Sequence, residues 1–292
     1  MTDVQKSKPF RVGLVQMCSG RDVGANVAAA SDLIREAAAG GAQYVQTPEM
    51  TTLLELERER LFAAAETEEA SAALANFKEL ARELAVWLHI GSMPTLLPGR
   101  DKLANRSFLI APNGKISARY DKIHMFDVDL GGGETYTESA NYQPGSHAVL
   151  AGLPWGTLGL SICYDLRFPH LYRALARGGA TFLAIPAAFT RSTGMAHWLT
   201  LVRARAIESQ AFVFAANQGG THENGRETFG HSLVVTPWGE VLCEASDHPA
   251  VVFADVDMRM LTDVRQRLPS LRHDRQFDVV HADSAAPSEV TS

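Results

Sequence analysis

The chain has 292 residues, of which 46% are hydrophobic and 21% charged, and a formal net charge of -6. That is an ordinary globular composition on a length able to bury a sizeable core, without low-complexity tracts or short-period repeats. The acidic balance and the lack of any Lys/Arg-rich run argue against nucleic acid or anionic lipid as a general partner, and no apolar run approaches a membrane span.

Residues 1–9 read as a flexible tail, without the apolar stretch of a signal peptide. Phe10 to Met17 alternates as a strand, and Asn26 to Ala39 has a helical period ended by Gly40-Gly41. Tyr44 to Thr47 is the next strand, closed by Pro48-Glu49. Leu53 to Arg60 reads as a charged connection, Glu69 to Ala85 as an amphipathic helix, Val86 to Ser92 as a strand and 94–102 as loop. Asn105 to Ala111 and Lys115 to Tyr120 flank Pro112-Asn113-Gly114, and Asn-Gly between apolar runs signals a hairpin. Lys122 follows its second arm. The stretch from Gly131 to Gly145 reads as a long loop carrying Glu138. Thr157 to Ile162 is a strand entered through Pro154-Trp155-Gly156, His170 to Arg177 a helix, and Phe182 to Ile185 another strand. Thr193 to Glu208 is a helix with Met195, Leu199, Val202 and Ala206 along one stripe, and Ala211 to Ala216 a strand. Gln218 to Gly230 is loop, and Ser232–Val235 and Val241–Glu244 pair across Pro237-Trp238-Gly239. Val251 to Val256 is a strand and Met258 to Arg267 a short helix. Residues 278–292 have the composition of a disordered tail, which leaves 10–277 as the folded domain. Strands alternating with helices, with hairpins interposed, predict mixed sheets covered by helices.

The chemistry centres on Leu160 to Pro169. Cys163 stands where a strand gives way to a tight turn and helix, a position expected to expose its side chain at the mouth of the fold. Backbone N–H groups there, with a nearby cation, would bind developing negative charge and depress the thiol pKa. The plain alternative is a cysteine buried as a small hydrophobe. Glu49 and Lys122 also stand at strand ends, where ligands bind in open α/β sheets. A carboxylate base, an ammonium and a thiol together can perform acyl transfer. Each has a duller reading: Glu49 as a helix N-terminal charge, Lys122 as a surface partner of Asp121 or Asp127.

Thr47-Pro48-Glu49-Met50, Tyr120-Asp121-Lys122-Ile123-His124-Met125-Phe126-Asp127 and Ile162-Cys163-Tyr164-Asp165-Leu166-Arg167-Phe168-Pro169 resemble the three signature segments of the nitrilase (carbon-nitrogen hydrolase) superfamily, in the family's order. The likeness runs on through Pro186 to Thr190, Gly194 to Trp198, Arg203 to Ala206 and Gly230 to Val241. Cys-Tyr-Asp-Leu-Arg-Phe-Pro is similar to the Nit amidase branch, which holds deaminated glutathione amidase and ω-amidase, whereas true nitrilases usually carry Trp-Glu after the nucleophile. The loop Gln218 to Arg226 resembles the deaminated glutathione amidase members more. Thr47 and Met195 depart from the usual pattern at positions expected to line or flank the pocket.

The resemblance implies an α/β fold, a four-layer αββα sandwich of the nitrilase type, assembled as a homodimer or higher homo-oligomer. It implies that Glu49 is the general base, that Cys163 forms a thioester, that Lys122 with the Tyr164 N–H binds the oxyanion, and that Glu138 orients Lys122 and the amide. No metal or organic cofactor is implied, and the partners are a small amide and water. A planar Arg fork suits a substrate carboxylate, and Arg167 is the candidate, its alternative an ion pair with Asp165 or Glu49. Phe189, Thr190 and Phe126 are candidate pocket walls, or plain core. His197 reads as a packed helix residue rather than a partner of Cys163, and no histidine spacing suits zinc. The activity implied is hydrolysis of the terminal amide of a small carboxylate-bearing, deaminated glutathione-type substrate, releasing ammonia. Alternatives are an ω-amidase acting on α-ketoglutaramate or succinamate, an N-carbamoyl amino acid hydrolase, or a binding protein with a decayed site. Cys18, Cys163 and Cys243 form no C-x-x-C pair, and so sparse and odd a set suits a reducing, cytoplasmic setting. Cys18 and Cys243 receive no role.

Overall fold

The computed structural model describes residues 9–131 and 133–281, so most of the two expected tails (1–8 and 282–292) lies outside the described residues. The first half builds β1 (Phe10–Gln16), α1 (Val23–Ala39), β2 (Tyr44–Gln46), α2 (Arg58–Ala64), β3 (Glu66–Thr67), α3 (Ala72–Leu84), β4 (Trp87–Leu96), β5 (Leu103–Ile110) and β6 (Ile116–Asp121). A small hairpin, β7 (Asp127–Asp129) and β8 (Thr135–Thr137), leads to the second half. That half holds β9 (Val149–Leu153), β10 (Gly156–Leu160), α4 (Pro169–Arg177), β11 (Phe182–Ala184), α5 (Arg191–Ser209) and β12 (Phe212–Ala215). A second small hairpin, β13 (Gly219–Thr221) and β14 (Glu227–Phe229), precedes β15 (Leu233–Val235), β16 (Val241–Glu244), β17 (Ala250–Val256) and α6 (Met258–Arg267).

Two sheets form, one in the order β17-β1-β2-β4-β5-β6 with β3 beside β4, the other β16-β15-β12-β11-β10-β9. Side chains alternate faces along a strand, and that period sorts the core into layers. Phe10, Val12 and Leu14 of β1, with Tyr44 and Leu109, join Leu158, Leu160, Phe182 and Phe214 of the other sheet in one buried cluster. Val15, Val45, Phe108 and Ile110 point the other way, onto Ile34 and Ala37 of α1 and Phe77 and Leu80 of α3. On the far side of the second sheet, Tyr172 and Leu175 of α4 and Trp198, Val202 and Ala206 of α5 close the core. The result is four layers, αββα. The sheets also meet through a polar tie, Gln46 Nε2 donating to the Phe214 carbonyl at 3.0 Å. Among the described residues no helix is long and apolar enough to cross a membrane.

Several elements depart from the sequence reading. Three supposed connections hold regular structure: α2 in the charged segment, β7–β8 around the glycine-rich loop, and β13–β14 within Gln218 to Gly230. β9, before Pro154, was not foreseen. β4 runs on to Leu96 through Pro94, which pairs with Asn105 beside a register shift between Ile90 and Met93; a bulge relieves the pairing that proline disrupts. The α5 stripe is also wrong in half its members, because Met195 is 74% and Leu199 41% exposed. The face turned inward runs instead through Gly194, Trp198, Val202, Arg205 and Ala206.

Candidate active site

The ends of β2, β6 and β10 converge at one rim of the sandwich, and the backbone there is held in unusual ways. Gly91 passes so close to the Thr47 and Pro48 carbonyls that an added Cβ would lie 2.3–2.4 Å from them, so only glycine lets β4 run beside this segment. Thr47 itself is fully buried and bonds Thr51 rather than lining a pocket. Lys122 is tied at both backbone ends, donating to the Asn105 carbonyl and accepting from Gly145 N–H. Cys163 opens a short 3-10 turn, Cys163–Arg167, with φ of 49°, a left-handed conformation costly for a non-glycine residue. Its N–H donates to the Pro186 carbonyl at 2.9 Å. Asp165, fully buried, braces the turn by accepting from Ile162 N–H, the Tyr120 hydroxyl and His124 Nδ1 at 2.8, 2.7 and 2.6 Å.

Glu49, Lys122, Glu138 and Cys163 meet there. Lys122 Nζ donates to Glu49 Oε1 at 2.8 Å and to both Glu138 oxygens at 2.8 and 3.0 Å. Asn105 Nδ2 bridges the same two carboxylates at 3.0 Å each. Glu49 Oε2 accepts from Ala188 N–H at 2.9 Å, across from the first sheet to the second. Neither duller reading survives: Glu49 caps no helix, Asp121 pairs with Arg106, and the Asp127 carboxylate accepts from Ser139 N–H.

The charges decide the protonation states. Burial alone would raise the Glu49 carboxyl pKa, but the Lys122 ammonium overrules it and holds the group below its usual range. Burial alone would lower Lys122, yet Glu138 and Glu49 keep the amine well above its ordinary value. For Cys163 burial and the Glu49 charge act together and push the thiol up, against the weaker pull of Lys122. The expectation of an exposed, acidified thiol is therefore corrected: the side chain is only 7% exposed, and burial beside the Glu49 charge keeps the resting group a neutral thiol.

Cys163 and the carboxylates line a cavity of about 460 Å³, which the other expected residues Phe126, Tyr164, Arg167, Phe189 and Thr190 also line. Arg167 lies 5.1 Å over the Phe189 ring and 5.9 Å over Tyr164, and Nη1 donates to His197 Nδ1 at 3.2 Å. Asp165 and Glu49, its supposed ion-pair partners, are engaged elsewhere. Phe189 is both wall and core, packing its ring 5.0 Å from Trp198. Thr190 spends its hydroxyl as the N-cap of α5. Two expectations are corrected here: His197 is exposed rather than packed, and exposed Met195 does not line the cavity. Among the described residues no cluster of His, Cys, Asp and Glu suits a metal ion.

Three residues with evident influence escaped the sequence reading as individuals. Asn105 is a lone amide inside an apolar strand, which was its only signal. Asp165 reads from the sequence only as a possible partner of Arg167 and as the residue standing where true nitrilases carry Glu. Arg226 lies within a segment that reads as loop, yet it lines the cavity and its guanidinium stands over Tyr136 at 5.0 Å.

A buried thiol, a carboxylate and an ammonium gathered at the strand ends of an αββα sandwich have the chemistry that acyl transfer requires. The Carbon-nitrogen hydrolase family model matches residues 11–266, and the chain belongs to that family, the nitrilase superfamily. It is 40% identical to a deaminated glutathione amidase from Yersinia enterocolitica over 92% of this chain and 94% of that one. It is 36% identical to an omega-amidase from Homo sapiens over 91% of this chain and 95% of that one. Among solved structures, Nit3 of Saccharomyces cerevisiae, a member of branch 10 of the superfamily, superposes with a TM-score of 0.82 at 28% identity, covering 92% of this chain and 97% of its own. The protein is a hydrolase acting on carbon–nitrogen bonds.

Proposed function

We propose that this protein is a cysteine-dependent amidase that cleaves a small carboxylate-bearing amide through a thioester acyl-enzyme, with a deaminated glutathione-type substrate as first choice. The observation that carries this reading is the Lys122 ammonium, 2.8 Å from both Glu49 and Glu138, beside the cavity that Cys163 lines. Glu49 takes the thiol proton as sulfur attacks the amide carbon. Lys122 and the Tyr164 N–H, an amide in the first turn of its short helix and so without an intrahelical partner, hold the oxyanion. Glu138 keeps Lys122 oriented. Glu49 then hands its proton to the departing nitrogen as the C–N bond breaks, and afterwards takes a proton from the water that hydrolyses the thioester. Arg167 binds the carboxylate of the acyl half, with Phe126, Phe189 and Thr190 as walls. These steps use no metal or organic cofactor.

The named relatives support this choice, and the omega-amidase among them favours a second reading, α-ketoglutaramate or succinamate. Deaminated glutathione and α-ketoglutaramate share one acyl group. They differ in the amine: the first releases a cysteinylglycine dipeptide, so ammonia, expected from the sequence, is the product of the second alone.

We further infer that 10–277 is the hydrolase domain, in keeping with the match over 11–266. The three unpaired cysteines favour a reducing, cytoplasmic setting. The exposed Met195, Leu199 and Ile207 on α5 favour a homodimer joined through that helical face. The test of function is kcat/KM on deaminated glutathione, α-ketoglutaramate, succinamate and an N-carbamoyl amino acid, with wild type and Cys163→Ala. Turnover of the first two, abolished in the variant, is expected; turnover at the wild-type rate in Cys163→Ala, or preference for the carbamoyl compound, overturns the proposal.

A further inference from the structure

Three arginines line the cavity, and their nitrogens are committed to different degrees. Arg58 donates to the carbonyls of Ala140 and Asp101 and to the Asn141 side chain, which occupies its fork. Arg167 stands on the Tyr164–Phe189 side of the cavity. Arg226 has a single acceptor, the Ala188 carbonyl at 2.5 Å, and its Nε is buried without any partner. Among the described residues no carboxylate is within ion-pair distance of it; Glu227, its neighbour in the chain, lies 3.6 Å from Arg191 instead. A guanidinium charge beside a cavity with no carboxylate to balance it is costly to desolvate, and an incoming anion would offset that cost.

The fork is held in place before any substrate arrives. Arg226 sits in the turn of the β13–β14 hairpin, where its N–H donates to Asn224 Oδ1 at 3.1 Å and its carbonyl accepts from His222 N–H at 2.8 Å. Asn224 Nδ2 fastens that turn to the Leu54 carbonyl at 3.1 Å. Its side of the cavity is also defined. Ala188, whose carbonyl takes the Arg226 bond, gives its N–H to Glu49 Oε2, and the Arg226 charge is felt by Glu49. Glu49 is the group that protonates the departing nitrogen in the proposed mechanism, so a substituent on that nitrogen emerges beside Arg226. The acyl half lies toward Arg167.

We propose that Arg226 is a specificity residue for the leaving amine, binding a carboxylate carried by the amine half, so that the preferred substrates are amides of an amino acid or short peptide rather than of ammonia. The proposal rests on the amidase reading and deepens it. In the step it governs, the C–N bond breaks, Glu49 gives its proton to nitrogen, the acyl group stays on Cys163, and the amine departs with its carboxylate on Arg226.

The test uses three amides of one acyl group, 2-oxoglutaryl: the primary amide, the N-(2-hydroxyethyl) amide and the N-(carboxymethyl) amide. The wild type is expected to favour the carboxymethyl over the hydroxyethyl amide by about tenfold in kcat/KM, equivalent to about 1.4 kcal/mol. Arg226→Gln should erase that margin between the carboxymethyl and hydroxyethyl amides, and Arg226→Lys should restore part of it. A wild type without the margin overturns the proposal whether or not the variant folds. So does an Arg226→Gln enzyme slowed equally on all three amides, which would make the residue a support for Glu49. Turnover of none of the three by the wild type would instead remove the amidase reading itself.

Discussion

The sandwich and the two small hairpins on its rim contribute to the same cavity in different ways. Glu49, Lys122 and Cys163 come from strand ends of the sandwich and are at most 7% exposed; backbone hydrogen bonds tie Lys122 and Cys163 to neighbouring segments, and the Gln218 side chain donates to the Glu49 carbonyl. Tyr136 of β8 and Arg226 of the β13–β14 turn come from the hairpins and are only half-buried. Glu138, immediately after β8, stands between the two, bonding Lys122 while its own N–H donates to Phe126. A rigid framework suits groups that must hold reacting atoms within tenths of an ångström, whereas hairpins on a scaffold are where binding preferences are changed. On the proposed mechanism, then, damage to the sandwich set should lower kcat for every substrate. Damage to the cavity wall should change the ranking of substrates.

Lys122→Met should break the comparison most severely on the sandwich side, lowering kcat/KM by roughly 10³-fold through loss of the oxyanion cation. It also carries a pH signature with a definite sign. In the wild type burial raises Glu49 and Lys122 more than offsets it, so the active ionised form persists below the ordinary carboxylate range and kcat/KM falls only as pH drops through that lowered value. Without the ammonium burial prevails, and the acid limb of the residual activity should move upward. An acid limb that stays where it is would mean that Lys122 does not set the charge of Glu49. Arg167→Ala should cost about 2 kcal/mol, roughly 30-fold in kcat/KM, on substrates whose acyl half bears a carboxylate. The corresponding amide without that carboxylate should be nearly unaffected; an equal loss on both would return Arg167 to a structural role.

The same division explains what could be read in advance. Phe10–Gln16 shows the alternation of a strand and Phe182–Ala184 is an apolar run after a Gly-Gly turn, so both are legible, as is Met258–Arg267 as a short helix. The hairpin strands Thr-Tyr-Thr and Gly-Gly-Thr are short and carry little apolar signal, so they passed for loop, and Arg226 passed with them. Pro94 masked the continuation of β4 because a proline inside a strand ordinarily argues against one. Glu49, Lys122 and Cys163 are legible as residues at strand ends, but their convergence depends on pairings between distant segments, which that placement and the resemblance suggest without fixing. The thiol shift came out with the wrong sign because it is governed by burial and by the approach of Glu49, neither of which local spacing encodes.

The central claim is that Glu49 serves Cys163 in both halves of a thioester cycle, and Glu49→Gln with an activated ester tests it most directly. Removing the negative charge takes away part of what raises the thiol while Lys122 remains, and a phenolate leaving group needs no proton, so acylation is spared. Deacylation has lost its base. Intact-mass spectrometry with the 4-nitrophenyl ester of the preferred acyl group should show one acyl adduct accumulating on the Cys163 peptide, matched by one equivalent of nitrophenol. Continued turnover without that adduct, or adducts on Cys18 or Cys243, would contradict the account.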